Sequence, residues 1–325
     1  MRFWPILLTV ALAGSSSLAG STVPQTQGKP PVFKAVVDRV TVAATVRDQH
    51  GRPITTLKAE DFKLIDSGQP RQILEFERDQ APMNLAILAD YSGSMDVAAK
   101  RAVARDMVRQ LVGGLMPGED QVGLFAFDLE LREIQPMRPA PGDVVQRIEK
   151  LEPWGKTRLL DSIAETGRKL AQTSGGRRAV VVLTDGDDNA SELSAAEVSG
   201  IASSIDVPVY IILVVSRLDR VGKSTSLIDP HLAEQRDGAL GNLARWTGGD
   251  ILVPVSDVEM QAATKQIVDE LRQQYLLAFE PSAQPGWHPL EVRTRPNLIV
   301  RARSGYVVSG AAVRPASVSH LDNDR

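Results

Sequence analysis

The chain has no cysteine in 325 residues. Disulfides, thiolate metal ligands and cysteine nucleophiles are therefore excluded. Histidine is nearly absent: four occur, at positions 50, 231, 288 and 320, no two close together. That pattern speaks against a zinc site or a His-based triad. Basic charge is not in excess either, since 37 Lys and Arg stand against 40 Asp and Glu, for a formal net charge of −3. The chain thus lacks the basic footprint that nucleic-acid binding needs. It also lacks the Gly-x-Ser-x-Gly elbow and the Gly-x-x-x-x-Gly-Lys-Ser/Thr loop, the local signatures of serine hydrolases and phosphate-binding loops. Beyond the N-terminal region no apolar run is long enough to span a bilayer as a helix.

The remaining composition, 43% hydrophobic and 24% charged, is ordinary for a globular protein. The first residues form a tripartite pattern. Arg2 supplies positive charge, Phe3 to Ala13 is a short apolar stretch, and Ser17-Leu18-Ala19 fits a small-x-small cleavage motif. This predicts a signal peptide over residues 1–19, cut after Ala19, and an exported protein, periplasmic or secreted, without a transmembrane anchor. With no Cys near the cut, a lipoprotein anchor is excluded.

Residues 20–31 read as a Pro/Gln/Gly linker. Residues 32–80 read as strand-rich, with a hairpin joining Phe62–Ile65 to Gln72–Phe76 across Asp66 to Pro70. Residues 81–275 alternate apolar strand and helix patterns, which predicts a doubly wound, mostly parallel α/β sheet flanked by helices. Within it, Asp96–Leu115, Leu159–Ala171, Ala195–Ser204, His231–Trp246 and Asp257–Gln274 are read as helices. Residues 276–308 return to alternating strands. They are expected to pair with 32–80 in one small antiparallel β unit, because either flank alone is too small to make a core. Residues 309–325 are low in apolar content and read as a disordered tail.

The informative run is Asp90-Tyr91-Ser92-Gly93-Ser94, directly after the apolar strand Asn84–Ala89. In a doubly wound sheet, ligands collect at the carboxyl ends of strands where the strand order reverses. Two more segments are expected there: Gly155-Lys156-Thr157-Arg158, and Leu183-Thr184-Asp185-Gly186. Together they offer carboxylate and hydroxyl oxygens, the donors a hard divalent cation takes. Taken singly, Asp90, Ser92, Ser94 and Thr157 are ordinary helix caps. Asp187, Asp188 and Asn189 read mainly as solvated turn residues. Ala190 stands where an EF-hand needs glycine. Tyr91 and Arg158 read as rim or scaffold residues.

Asp-x-Ser-x-Ser, then Thr before a helix, then Asp closing a strand, resembles the metal-ion-dependent adhesion site of von Willebrand factor type A domains. The resemblance covers roughly residues 84–275. It implies that Asp90, Ser92, Ser94, Thr157 and Asp185 hold a metal. Mg²⁺ suits the oxygen donors, with Mn²⁺ or Ca²⁺ as alternatives. The flanks narrow the likeness. Val46-Arg47-Asp48-x-x-Gly51-Arg52-Pro53, Tyr275-Leu276-Leu277 and Val300-Arg301-Ala302-Arg303-x-Gly305-Tyr306 are similar to the bacterial exported "VWFA-related domain" family.

The expected function is that of an exported, metal-dependent binding module of the adhesion or scaffold type, not an enzyme. Its ion would coordinate an Asp or Glu of a protein or peptide partner. The alternatives are a metal-dependent hydrolase, for which no catalytic base is evident, and a structural envelope component with a non-essential metal site. The oligomeric state is not legible in the sequence.

Overall fold

The computed structural model describes residues 39–308, apart from 79–80, 140–143, 149–154, 174 and 217–229. The expected signal peptide, linker and tail lie outside the described residues, as does most of the polar stretch after Val215. Two architectures meet in the described part. One is a six-stranded sheet flanked by helices; the other is a pair of antiparallel sheets built from both flanks.

The six-stranded sheet is centred on β5 (Met83–Asp90), every residue of which is buried. Both faces are covered, so the strand is a continuous apolar run rather than an alternating one. Parallel neighbours are β6 (Gln121–Phe127) on one side and β8 (Arg177–Thr184) on the other. Beyond β8 lie β9 (Val209–Leu213) and β10 (Ile251–Leu252), also parallel. The far edge, β7 (Leu131–Pro139), is antiparallel to β6.

Successive side chains of β5 point to opposite faces. Met83, Leu85, Ile87 and Ala89 enter the core shared with α1 (Lys100–Gly113), α2 (Val144–Ile148) and α7 (Asp257–Arg272). Ala86 and Leu88 enter the core shared with α3 (Leu159–Ala171), α4 (Ala195–Ser204) and α6 (Ala239–Trp246). Because the chain returns from β7 to place β8 on the other side of β5, the strand order reverses beside β5. A crevice is expected at that point, at the carboxyl ends of β5 and β8.

Two expected helices are each divided. Residues Gly93–Ala99 are a 3-10 helix, and α1 begins only at Lys100, after Ala99 takes a left-handed conformation at φ 62°. The helix expected over His231–Trp246 is two: α5 (Pro230–Asp237) and α6, separated at Gly238. Helix α4 matches its expected limits. Ser194 accepts the Glu197 amide while the Glu197 side chain accepts from Ser194, a capping box readable in the sequence.

The flanks form two four-stranded sheets around one core. In the first, β1 (Val40–Arg47) lies between β13 (Ile299–Ala302) and β11 (Tyr275–Phe279), with β4 (Ile73–Glu77) beyond β11. In the second, β12 (Gly286–Arg293) lies between β14 (Gly305–Val308) and β2 (Lys63–Asp66), with β3 (Gln69–Arg71) at the edge. Val42, Val46, Leu64, Tyr275, Phe279, Leu290 and Tyr306 fill the space between. N- and C-terminal strands thus share both sheets, as expected: they alternate in the first, and in the second a C-terminal pair joins an N-terminal pair through β12 and β2. The expected hairpin is corrected: β2 turns into β3 over Ser67-Gly68 alone, and the Gln72–Phe76 segment crosses to the other sheet as β4.

Among the described residues, no helix is long and apolar enough to cross a membrane.

Candidate metal centre

Three loops gather at the carboxyl ends of β5 and β8, and backbone hydrogen bonds tie each to the next. Asp90 closes β5 and is fully buried. Its Oδ1 accepts the Ser92 N–H at 2.9 Å, and its Oδ2 accepts the Thr184 hydroxyl at 2.6 Å. The Ser92 and Ser94 hydroxyls lie 3.1 Å apart. The Gly93 N–H donates to the Gly155 carbonyl at 3.1 Å, joining the first loop to the second. Gly155 sits at φ 77°, a left-handed conformation that L side chains rarely adopt.

Thr157 is buried and held from the third loop. Its N–H donates to Asn189 Oδ1 at 3.0 Å, and its carbonyl accepts the N–H groups of Asn189 and Ala190, both at 3.1 Å. Asp188 adds a further tie. Its Oδ2 accepts the Leu160 N–H at 3.1 Å and its Oδ1 the Ser191 N–H at 3.0 Å, while Ser191 Oγ accepts the Asp161 N–H at 3.2 Å. The first turn of α3, which has no side-chain cap from Arg158, is thereby satisfied by the loop after β8. Asp188 is half-buried and Asn189 is exposed, but neither is only a solvated turn residue. They fix the Thr157 loop, and sequence reasoning missed that role.

Asp185 follows β8 and is 6% exposed. Its Oδ2 receives the Lys100 ammonium at 2.8 Å. Its Oδ1 is buried and has no hydrogen-bond partner. Burial pushes the Asp90 carboxyl up to about 6 from 3.8, and the neighbouring Asp185 charge adds to the rise. Hydrogen bonds from Thr184 and Ser92 offset only part of it. Two buried carboxylates, one with an orphan oxygen and one resisting ionisation, are what a cation would relieve.

The donor set fits a hard divalent ion. Among the described residues, no three His, Cys, Asp or Glu side chains come together as a metal cluster. This site has two carboxylates, and Ser92, Ser94 and Thr157 supply hydroxyls. Mg²⁺ accepts such an all-oxygen set and keeps waters in the remaining positions. Tyr91 and Arg158 turn out to be scaffold. The Tyr91 hydroxyl donates to the Ile148 carbonyl at 2.8 Å, and the Arg158 guanidinium pairs with Asp161 at 2.6 Å. Lys100 has no counterpart in the sequence-level reading.

Residues 85–187, which contain all five expected site residues, match the family model of the von Willebrand factor type A domain. The chain carries a von Willebrand factor type A domain. Solved structures of similar shape include an aerotolerance-related membrane protein from Bacteroides fragilis, at 21% identity and TM-score 0.45, covering 59% of this chain and 98% of that one. The PilB minor pilin from Streptococcus sanguinis aligns at 16% identity and TM-score 0.44, over 61% of this chain and 63% of the pilin. A von Willebrand factor type A protein from Catenulispora acidiphila aligns at 11% identity and TM-score 0.45, over 85% and 76%. No curated protein matches the chain.

Proposed function

We propose that this chain is an exported protein-binding module that holds one divalent cation and uses it to take a carboxylate from a partner. Asp90, Ser92, Ser94, Thr157 and Asp185 would hold the ion, Mg²⁺ by donor type, with Mn²⁺ or Ca²⁺ as substitutes. When bound, the ion supplies an electrophilic position for an anionic oxygen. The observation that carries the reading is the buried, unpartnered Oδ1 of Asp185 at strand ends where Asp90, Ser92, Ser94 and Thr157 supply carboxylate and hydroxyl oxygens, Lys100 taking only the other oxygen of Asp185.

The chain's own residues do the positioning. Thr184 and the Ser92 amide orient Asp90. Asn189 holds the Thr157 loop, and the Gly93–Gly155 bond sets the Ser92–Ser94 loop against it. Binding rather than hydrolysis is favoured because, among the described side chains, no histidine stands at these loops. His50 follows β1 and His288 lies on β12, both in the flanking β unit. Export is inferred from the N-terminal tripartite pattern.

Manganese titration followed by water-proton relaxation tests the reading. One Mn²⁺ should bind per chain, Mg²⁺ should displace it, and Asp90→Ala should abolish binding with the far-UV circular dichroism unchanged. Full binding in that variant would place the ion elsewhere. A pull-down from cell-envelope extract should then yield a partner in Mg²⁺ that is lost in EDTA.

A further inference from the structure

Lys100 breaks two local rules in order to reach Asp185. It is the first residue of α1, where the positive end of the helix dipole disfavours a cation. No acidic residue occupies that first turn, and Arg101 follows directly. The residue before it, Ala99, holds a left-handed conformation at φ 62° and ψ 22°, which costs a non-glycine residue about 1 kcal/mol. Violations of this kind concentrate where a site imposes them. What the chain gains is one contact: the Lys100 Nζ lies 2.8 Å from Asp185 Oδ2, with the lysine side chain 19% exposed and the aspartate 6%.

We infer that Lys100 is a resident counter-cation of the metal site, one that weakens metal binding and makes the loaded site select a carboxylate. The inference rests on the metal reading above. Lys100 occupies only Oδ2 of Asp185; Oδ1, buried and unpartnered, is left for the ion. The ammonium and the metal can therefore share one carboxylate, and neither has to leave.

The charge count follows. Asp90 and Asp185 alone carry two negative charges, which a divalent ion would only neutralise. With Lys100 included, the metal-free cluster carries one net negative charge and the loaded cluster one net positive charge. An ion in a neutral shell draws an anion only at short range, through its nearness to the open position. A cluster with one net positive charge adds a longer-ranged attraction and strengthens the preference for an anion over a neutral oxygen donor. A partner Asp or Glu is thereby preferred over Asn or Gln, and the preference is encoded by a residue outside the five oxygen ligands.

The test uses Mn²⁺ as the metal and acetate as the probe anion, with acetamide as its neutral counterpart. Mn²⁺ affinity is read from water-proton relaxation. Acetate binding is read from the fall in relaxation as it replaces a metal-bound water. In Lys100→Met, Mn²⁺ should bind about tenfold more tightly, because a repelling charge is gone. Acetate should then bind about three- to tenfold more weakly. Lys100→Arg, which keeps the charge, should match the unsubstituted chain in both, and acetamide should not compete in any of them. If Lys100→Met does not fold, Lys100→Gln takes its place, keeping a donor to Asp185 without the charge.

A merely structural Lys100 would weaken metal and anion binding together. Mn²⁺ affinity that is unchanged or lower in the neutral variant, with the unsubstituted chain binding normally, overturns this inference and leaves the metal reading standing. Absence of Mn²⁺ binding in the unsubstituted chain overturns both.

Discussion

The Thr184 hydroxyl donates to Asp90 Oδ2 at 2.6 Å, so the residue just before one carboxylate of the site holds the other. The contact is a product of register. Strands β5 and β8 are adjacent and parallel, with Ala89 opposite Leu183, which brings the two strand ends together. The same hydroxyl oxygen accepts the Gly186 N–H at 3.1 Å and so also shapes the turn that carries Asp185. One threonine thus coordinates both acidic loops, and Asp90 titrates within the field of Asp185.

That coupling gives the metal-free protein a pH dependence with a definite sign. The Asp90 carboxyl is raised to about 6 by burial, against 3.8 ordinarily. Between those values the folded chain keeps a proton that the unfolded chain has released. The associated stability is fully present below the ordinary value and is lost as pH rises through about 6, by about 3 kcal/mol at most. Urea unfolding in EDTA at pH 4 and pH 7.5 should show the loss. Asp90→Asn should remove this slope and be the more stable protein at pH 7.5. An unchanged slope would assign the titration to another group. Because proton and metal compete for Asp90, Mn²⁺ affinity should fall below about pH 6.

Asn189 is the second test, because its role is positional. Its side-chain oxygen accepts the Thr157 N–H at 3.0 Å, and its own N–H donates back to the Thr157 carbonyl at 3.1 Å. Asn189→Ala removes the first bond and keeps the second. Stability should fall by about 1 kcal/mol, the net worth of one such hydrogen bond. Mn²⁺ affinity should fall by several-fold, because Thr157 loses its orientation and not its hydroxyl. Asn189→Asp, which keeps the acceptor, should restore most of the affinity. Loss as complete as in Asp90→Ala would instead make Asn189 a direct ligand.

What could be read from the sequence was local. The Asp90–Ser94 run and the Thr184-Asp185-Gly186 turn each lie within a few residues, and the apolar runs before them identify their strands. Helix α4 was legible to its ends because Ser194 and Glu197 form a capping box. The two-residue turn Ser67-Gly68 was also available, both residues taking positive φ, yet a longer turn was read there. Other features depend on distant partners. Nothing around Ala99 signals a left-handed residue in a run of good helix formers. Lys100 meets Asp185 across 85 positions and Asn189 meets Thr157 across 32. Thr184 reaches Asp90 across 94. Such contacts exist only once β5 and β8 are neighbours.

The last prediction concerns the seam between the flanking strands and the helical sheet. Arg47, at the end of β1, pairs with Glu270 near the end of α7, and both are buried. The Tyr210 hydroxyl donates to Glu270 Oε2 at 3.2 Å. Burial, with Arg301 nearby, depresses the Arg47 guanidinium from its ordinary value. This pair stands away from the metal site. Arg177, the first residue of β8, donates to the Leu271 and Gln274 carbonyls, so the end of α7 lies at the amino ends of the strands. Arg47→Met leaves Glu270 as an uncompensated buried charge and should cost about 3–5 kcal/mol in chemical denaturation. Glu270→Leu should cost a similar amount by stranding Arg47. The double variant should recover most of the loss, because well-packed apolar side chains replace a buried ion pair at little net cost. Mn²⁺ affinity should stay unchanged in the double variant, as no ligand loop has been touched. Strictly additive single-variant losses would show that the two residues act independently, and that the seam is held by its other pairs, Arg301 with Asp250 and Arg303 with Asp206.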